Sequence, residues 1–340
     1  MNNSEVKLTC ILTMLFVISF VLLFKDQIQI MHLNGFSYWF SSDGGEYMKL
    51  YNTYKEHSLY EAFDKLYAIG APILMLMMFK GSVYPSLIFS SCLFFLSLCL
   101  FLLSIEKNRL AFFVLCLLNP FVFLSFFAIN KEIYVITSML FFLSYYNTSK
   151  KKFLILCLMS VLFCRIYMFP VFLFLFFIFP INGEIRRKTL ISSILFISLA
   201  AQVTLNLWGK TGLLDNSGFI SVFFSKLIND YLYFIAYIPK YIYLVFMRFL
   251  SVIDVGFVGV YKSNLRDMMV SFYTIILILF SILKYFRSNI KCSDTRYLIM
   301  AIIAPYPIMF NEILHWRYYI FVLPIYLAYI LGVMRNKPIN

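Results

Sequence analysis

The chain has 340 residues, 62% of them hydrophobic and only 13% charged, with 40 Phe and 25 Tyr. Soluble domains average about half apolar and a quarter charged, so a soluble enzyme, a nucleic-acid-binding protein and a disordered scaffold are all but excluded. The net charge of +13 fits the basic cytoplasmic loops of a membrane protein better than a polyanion partner.

A membrane-spanning helix needs about 20 apolar residues, or fewer inside a bundle. Apolar runs in chain order are Leu8–Phe24, Val83–Ile105, Leu110–Ala128, Ile133–Tyr146, Phe153–Cys164 and Tyr167–Pro180, then Leu190–Leu207, Met268–Leu283, Tyr297–Phe310 and Tyr318–Val333. The first is followed by Lys25-Asp26 rather than a small-residue cleavage site, and reads as a retained anchor. Tyr67–Phe79 is short and contains Gly70-Ala71-Pro72, so it reads as re-entrant or interfacial. Tyr231–Tyr261, broken by Pro239-Lys240 and Arg248, reads as two tilted crossings or an interfacial lid. The expected fold is all-α: one integral membrane domain over residues 1–340, a polytopic transmembrane helical bundle with about ten to twelve crossings. Six cysteines lie in apolar runs and Cys292 in a basic loop, so no external disulfide framework is expected. There is no C-x-x-C or H-E-x-x-H pattern to hold a metal.

Lys and Arg accumulate on the cytoplasmic side of membrane proteins. With the N-terminus inside and each run crossing once, the cytoplasmic segments hold 15 of the 29 basic residues and only four of the 16 acids. Lys150–Lys152 and Arg186–Lys188 are among those basic residues. Both termini are therefore expected inside, with outer segments near residues 25–82 and 208–267. Those outer segments and outer helix ends hold the other twelve acids and all three histidines. Chemistry is expected at the outer face.

Four groups of residues can carry it. Ser41-Ser42-Asp43-Gly44-Gly45-Glu46-Tyr47 places two carboxylates three apart, on one face of a helix that Ser42 or Asp43 would cap. Such a pair can supply a general base or hold a metal-bound diphosphate; equally, it can complement the helix dipole. Asn119-Pro120 precedes Asn130-Lys131-Glu132, a charged turn between two apolar helices, where Lys131 and Glu132 either act on substrate or reach water. Arg165 is the only charge between Lys152 and Glu184 and suits two-point binding of phosphate, against a simple snorkelling role. Glu312, His315, Trp316, Arg317 and Tyr318 cluster near the last helix, where aromatics can stack on sugars or form the interfacial belt. His315 is the best-placed acid–base histidine, whereas His32 and His57 read as surface residues. Arg248 is a weaker candidate for an anionic head group.

The order of these motifs resembles polytopic glycosyltransferases of the GT-C type and the Wzy-type polymerases of O-antigen or capsule repeat units. The shared pattern is an acidic residue soon after the first helix (Asp43 to Glu46), then a proline-containing helix ending in a charged turn (Asn119-Pro120 to Lys131-Glu132). A basic turn, an arginine between short helices (Arg165) and a late Arg317-Tyr318-Tyr319 to Pro324 segment complete it. The resemblance implies a GT-C-like fold in the bacterial inner membrane, acting outside on polyprenyl-phosphate- or diphosphate-linked glycans, with membrane lipid and other polysaccharide-assembly proteins as neighbours. Asp43 or Glu46 would deprotonate the acceptor hydroxyl, and Lys131, Arg165 or Arg317 would bind the leaving group. No cofactor is implied, although a divalent cation is compatible with the carboxylates. The first outer segment lacks an Asp-x-Asp, and no large soluble outer domain is present, so a repeat-unit polymerase ranks above a single-sugar transferase. A flippase of lipid-linked glycans is the competing class, but no internal repeat supports it.

Overall fold

Long runs of Leu, Phe and Ile bounded by caps and turn residues fold as helices. The structure, a computed structural model, describes residues 1–33, 42–55, 71–164, 168–179, 186–208, 242, 265–287, 292–308 and 320–333. Among these the only regular elements are α-helices and short 3₁₀ turns. The all-α expectation holds.

The chain divides into two compact units, Met1–Phe169 with Ile320–Lys337, and Pro170–Tyr319 with Pro338–Asn340. The first begins with α1 (Asn3–Leu23), closed by a capping box in which Asn2 Oδ1 accepts from the Glu5 N–H and Glu5 accepts from the Asn2 N–H. Then follow α2 (Lys25–Leu33), α3 (Ser42–Tyr54), α4 (Ala71–Met78) and α5 (Val83–Ser104). Next come α6 (Arg109–Leu117), α7 (Pro120–Ser125), α8 (Glu132–Thr148), α9 (Lys151–Cys164) and, late in the chain, α14 (Leu323–Leu331).

Among the described residues two helices, α1 and α5, are long and apolar enough to cross a membrane. At 1.5 Å per residue each rises just over about 30 Å, the thickness of a bilayer core. They pack on each other, with Val6, Cys10, Val17 and Val21 as the buried side of α1. Its other side is equally apolar, exposing Leu8, Leu12, Leu15, Phe16 and Leu23. The centre of the unit is α8: every residue from Glu132 to Asn147 is buried, and α5, α7, α9 and α14 surround it. A helix buried on all sides needs no polar stripe, which is why its sequence shows no amphipathic pattern.

The Leu110–Ala128 run, expected as one crossing, is two helices instead. Pro120 has no N–H and disfavours helical backbone at the preceding residue, so Asn119 is extended (ψ 115°). Its side chain restarts the helix by accepting from the Phe121 N–H at 2.9 Å. α4, within the segment read as re-entrant or interfacial, has eight residues and so rises only about 12 Å. The Lys25–Ser82 segment, expected as an outer loop, carries helices α2, α3 and α4 among its described residues.

At one end of this unit Arg109 donates to the Met1 carbonyl and to Asn3 Oδ1, Asn147 donates to Ser104, and Asn108 donates to the Leu331 carbonyl. These bonds bring the N-terminus, the α5–α6 turn, the end of α8 and the end of α14 together, with Lys7, Lys107 and Lys150–Lys152 exposed around them. In the second unit, α10 (Phe169–Ile178), α11 (Arg187–Trp208), α12 (Leu265–Arg287) and α13 (Cys292–Ile303) lead to a 3₁₀ turn at Tyr306–Ile308. There Ser198 on α11 and the Tyr306 hydroxyl share a 2.6 Å hydrogen bond. Ile191, Phe196, Phe272, Phe280 and Phe286 are exposed on α11 and α12. The Tyr231–Tyr261 stretch, save position 242, lies outside the described residues.

Candidate active site

At the end of the first unit opposite the Arg109 cluster, α2, α3, α4, the start of α5 and the α7–α8 turn meet. α2 ties the first of these contacts. The Gln29 amide donates to the Gly81 carbonyl at 3.1 Å and accepts from the Val83 N–H at 2.8 Å, fixing α2 to the turn that opens α5. Gly81 itself has φ +81°, and a Cβ there would lie 2.7 Å from the Tyr51 ring, so the turn takes glycine for two reasons. Tyr51 is thus how α3 seats on this turn. Tyr47, one helical turn earlier, is buried, and position 43 lies one turn before that on the same face of α3.

His32 makes the second contact. It is only 7% exposed, and so it is not the surface residue expected from sequence: its ring is pinned on both nitrogens by backbone. Nδ1 lies 2.7 Å from the Ile28 carbonyl, which can only accept, and Nε2 lies 3.2 Å from the Ile129 N–H, which can only donate. The pattern assigns the neutral Nδ1–H tautomer. Burial holds the imidazole below its ordinary pKa, opposed in part by the bond to Ile28.

Ile129 belongs to the turn that carries Asn130, Lys131 and Glu132. Asn130 is buried, and its side chain accepts from the Glu132 N–H at 2.8 Å, one of the donors left open at the start of α8. Glu132 is 1% exposed, so its carboxyl does not reach water as a simple turn residue would. Lys131 is half-buried beside it. A buried carboxyl next to a lysine, at the dipole-positive end of a central helix, is a polar site set into an apolar core.

The structure therefore brings Lys131 and Glu132 to the same end as the helix carrying Asp43 and Glu46. α3 begins at Ser42, so Ser42 and Asp43 lie inside the helix rather than capping it, and positions 43 and 46 share a face as expected. α9 runs back along α8, touches α4, and ends at Cys164, one residue before Arg165. Arg165, Arg248, Glu312, His315, Trp316, Arg317 and Tyr318 lie outside the described residues, as does His57. Among the described residues no group of His, Cys, Asp and Glu is arranged to hold a metal ion.

No protein-family model, curated protein or solved structure matches this chain. The site stands on its own geometry. Sequence reading missed His32 and Gln29, yet a helical reading of Lys25–Leu33 puts Gln29 and His32 three apart beside Ile28, on one stripe.

Proposed function

We propose that this chain is a polytopic helical protein of the bacterial inner membrane that transfers glycosyl groups at the outer face. The donor is a polyprenyl-diphosphate-linked glycan, and the reaction polymerises surface-polysaccharide repeat units. Several features support the membrane part of this reading. α1 and α5 are long enough to cross, and α1, α11 and α12 present Leu, Ile and Phe outward where a soluble protein would present charge. The end of the first unit that gathers Lys107, Arg109 and Lys150–Lys152, with only Glu5 and Glu106 as acids among its described residues, fits the cytoplasmic side.

The observation that carries the catalytic part is the polar end opposite the Arg109 cluster, where the Lys131–Glu132 turn, His32 and the helix bearing Asp43 and Glu46 converge. In the proposed reaction the acceptor hydroxyl oxygen attacks the anomeric carbon of the donor. Its proton passes to a carboxylate, Asp43 or Glu46, and the bond to the diphosphate breaks, the diphosphate keeping the electron pair. Lys131, with Arg165 close behind the end of α9 in sequence, supplies positive charge to the leaving group. Glu132, buried in the same turn, positions Lys131.

Deletion of the gene tests the reading. Loss of a polymerase leaves single repeat units on the final acceptor and no long chains, because flipping and ligation proceed without it. Chains of normal length that lack one sugar would replace the polymerase with a single-sugar transferase. Lipid-linked units trapped inside would replace it with a flippase.

A further inference from the structure

We propose that His32 is a positioning residue for the Lys131–Glu132 turn, acting as a neutral clamp between α2 and the head of α8. The proposal rests on the catalytic reading of that turn and goes beyond it, because His32 belongs to a different helix and to none of the motifs that carry the resemblance. Two backbone partners fix the ring from opposite sides, Ile28 on its own helix and Ile129 across 97 residues of chain. The Ile28 carbonyl can also receive the His32 N–H within α2, so it does not depend on the ring. The Ile129 N–H, in a buried turn, has the ring nitrogen as its acceptor. What the ring controls is therefore the turn, not α2.

Three residues beyond Ile129 the chain becomes α8, and Asn130 fixes the first N–H of that helix. A clamp at Ile129 therefore sets where Lys131 emerges and where the Glu132 carboxyl starts. The clamp needs an acceptor at the Nε2 position. A protonated ring would present N–H to N–H there and release the turn. Carboxylate and lysine groups on the elements packed around the ring are Lys25 and Asp26 on α2, Lys80 before α5, Lys131 and Glu132 in the turn, and Asp43, Glu46, Lys49 and Lys55 on or beside α3.

Two substitutions separate the clamp from simple filling of space. His32→Gln keeps an acceptor at about the reach of Nε2, whereas His32→Leu keeps volume and loses it. Each variant is produced as the full chain in a deletion strain, with its membrane level checked by immunoblot, alongside Glu132→Gln. Long-chain polysaccharide is expected to fall at least tenfold with His32→Leu and with Glu132→Gln, and to recover to within about threefold of wild type with His32→Gln. Nitrogen-15 NMR of histidine-labelled protein, with the His32 signals identified by their loss in His32→Gln, is expected to show a protonated Nδ1 and a bare Nε2 at neutral pH. A protonated Nε2, or full function in His32→Leu while Glu132→Gln is inactive, would overturn the clamp. Full function in Glu132→Gln would instead remove the catalytic reading of the turn, and the tautomer would still decide whether the clamp exists.

Discussion

Replacing Gly81 with Ala probes how α3 is held at the site. The backbone at this position has φ +81°, which an L side chain adopts at a cost of about 1–2 kcal/mol. The added Cβ would also lie 2.7 Å from Tyr51 Cε1 and 3.0 Å from its Cζ, well inside contact distance, so either the ring or the turn must move. Overpacking of this kind adds about 1–3 kcal/mol, giving a total loss of about 2–5 kcal/mol. Because Tyr51 is where α3 seats on the turn, activity is expected to fall with stability, as Asp43 and Glu46 ride on the same helix. Equilibrium unfolding in mixed detergent micelles, followed by tryptophan fluorescence, measures the change. Tyr51→Leu shortens the ring and is expected to recover the overlap portion in a double-mutant cycle, leaving only the backbone portion. A Gly81→Ala protein within about 0.5 kcal/mol of wild type, the range of a neutral surface change, would show that Tyr51 and this turn do not seat α3.

The Cys10 and Cys99 thiols interact across the α1–α5 contact, so a short bifunctional thiol reagent is expected to join them within one chain; failure of a Cys10–Cys99 link while other thiols react would contradict this helix pairing. His32 has its pKa lowered on folding, so its stabilising effect is complete above the ordinary histidine value of about 6.5 and declines as pH falls from there toward the lower folded value. The stability gap between wild type and His32→Gln, measured by thermal unfolding across this range, is expected to narrow on the acid side, and a gap that widens there would refute the neutral assignment. Arg165→Ala is expected to abolish function with the protein still in the membrane, and Arg165→Lys to retain part of it; wild-type polysaccharide from Arg165→Ala would leave this arginine without a role in phosphate binding. Reporter fusions at Asn340 and near Asn52 are expected to report inside and outside respectively, and an externally active reporter at Asn340 would sink the orientation.

Much of the helical architecture was written in the sequence as runs of apolar residues, because a helix that meets lipid or other helices on every side needs no polar stripe. Leu8–Phe24 and Val83–Ile105 match α1 and α5 to within a few residues except at the start of α1. That start extends back to Asn3 because Asn2 and Glu5 form a capping box, a polar signal lying outside the apolar run. Leu110–Ala128 misled because composition alone does not register that Asn119-Pro120 stops one helix and caps the next. The site was half legible. Lys131-Glu132 stood out as charge between apolar runs, and its burial follows from the position of α8 at the centre of the first unit. His32 was not visible as charge, since a neutral histidine bonded only to backbone looks in sequence like any polar residue after an anchor. Its partner Ile129 lies 97 positions away and is apolar, so no local pattern joins the two.

Glycosyl transfer by the purified chain is the most direct test of the account. The protein is reconstituted in liposomes with polyprenyl-diphosphate-linked oligosaccharide extracted from the deletion strain of its own source organism. Wild type is expected to yield glycans of two and more repeat units on lipid and to release polyprenyl diphosphate, and Glu132→Gln to yield neither. Unchanged single units with no release of polyprenyl diphosphate, above all if the intact glycolipid moves between the two leaflets, would contradict the claim.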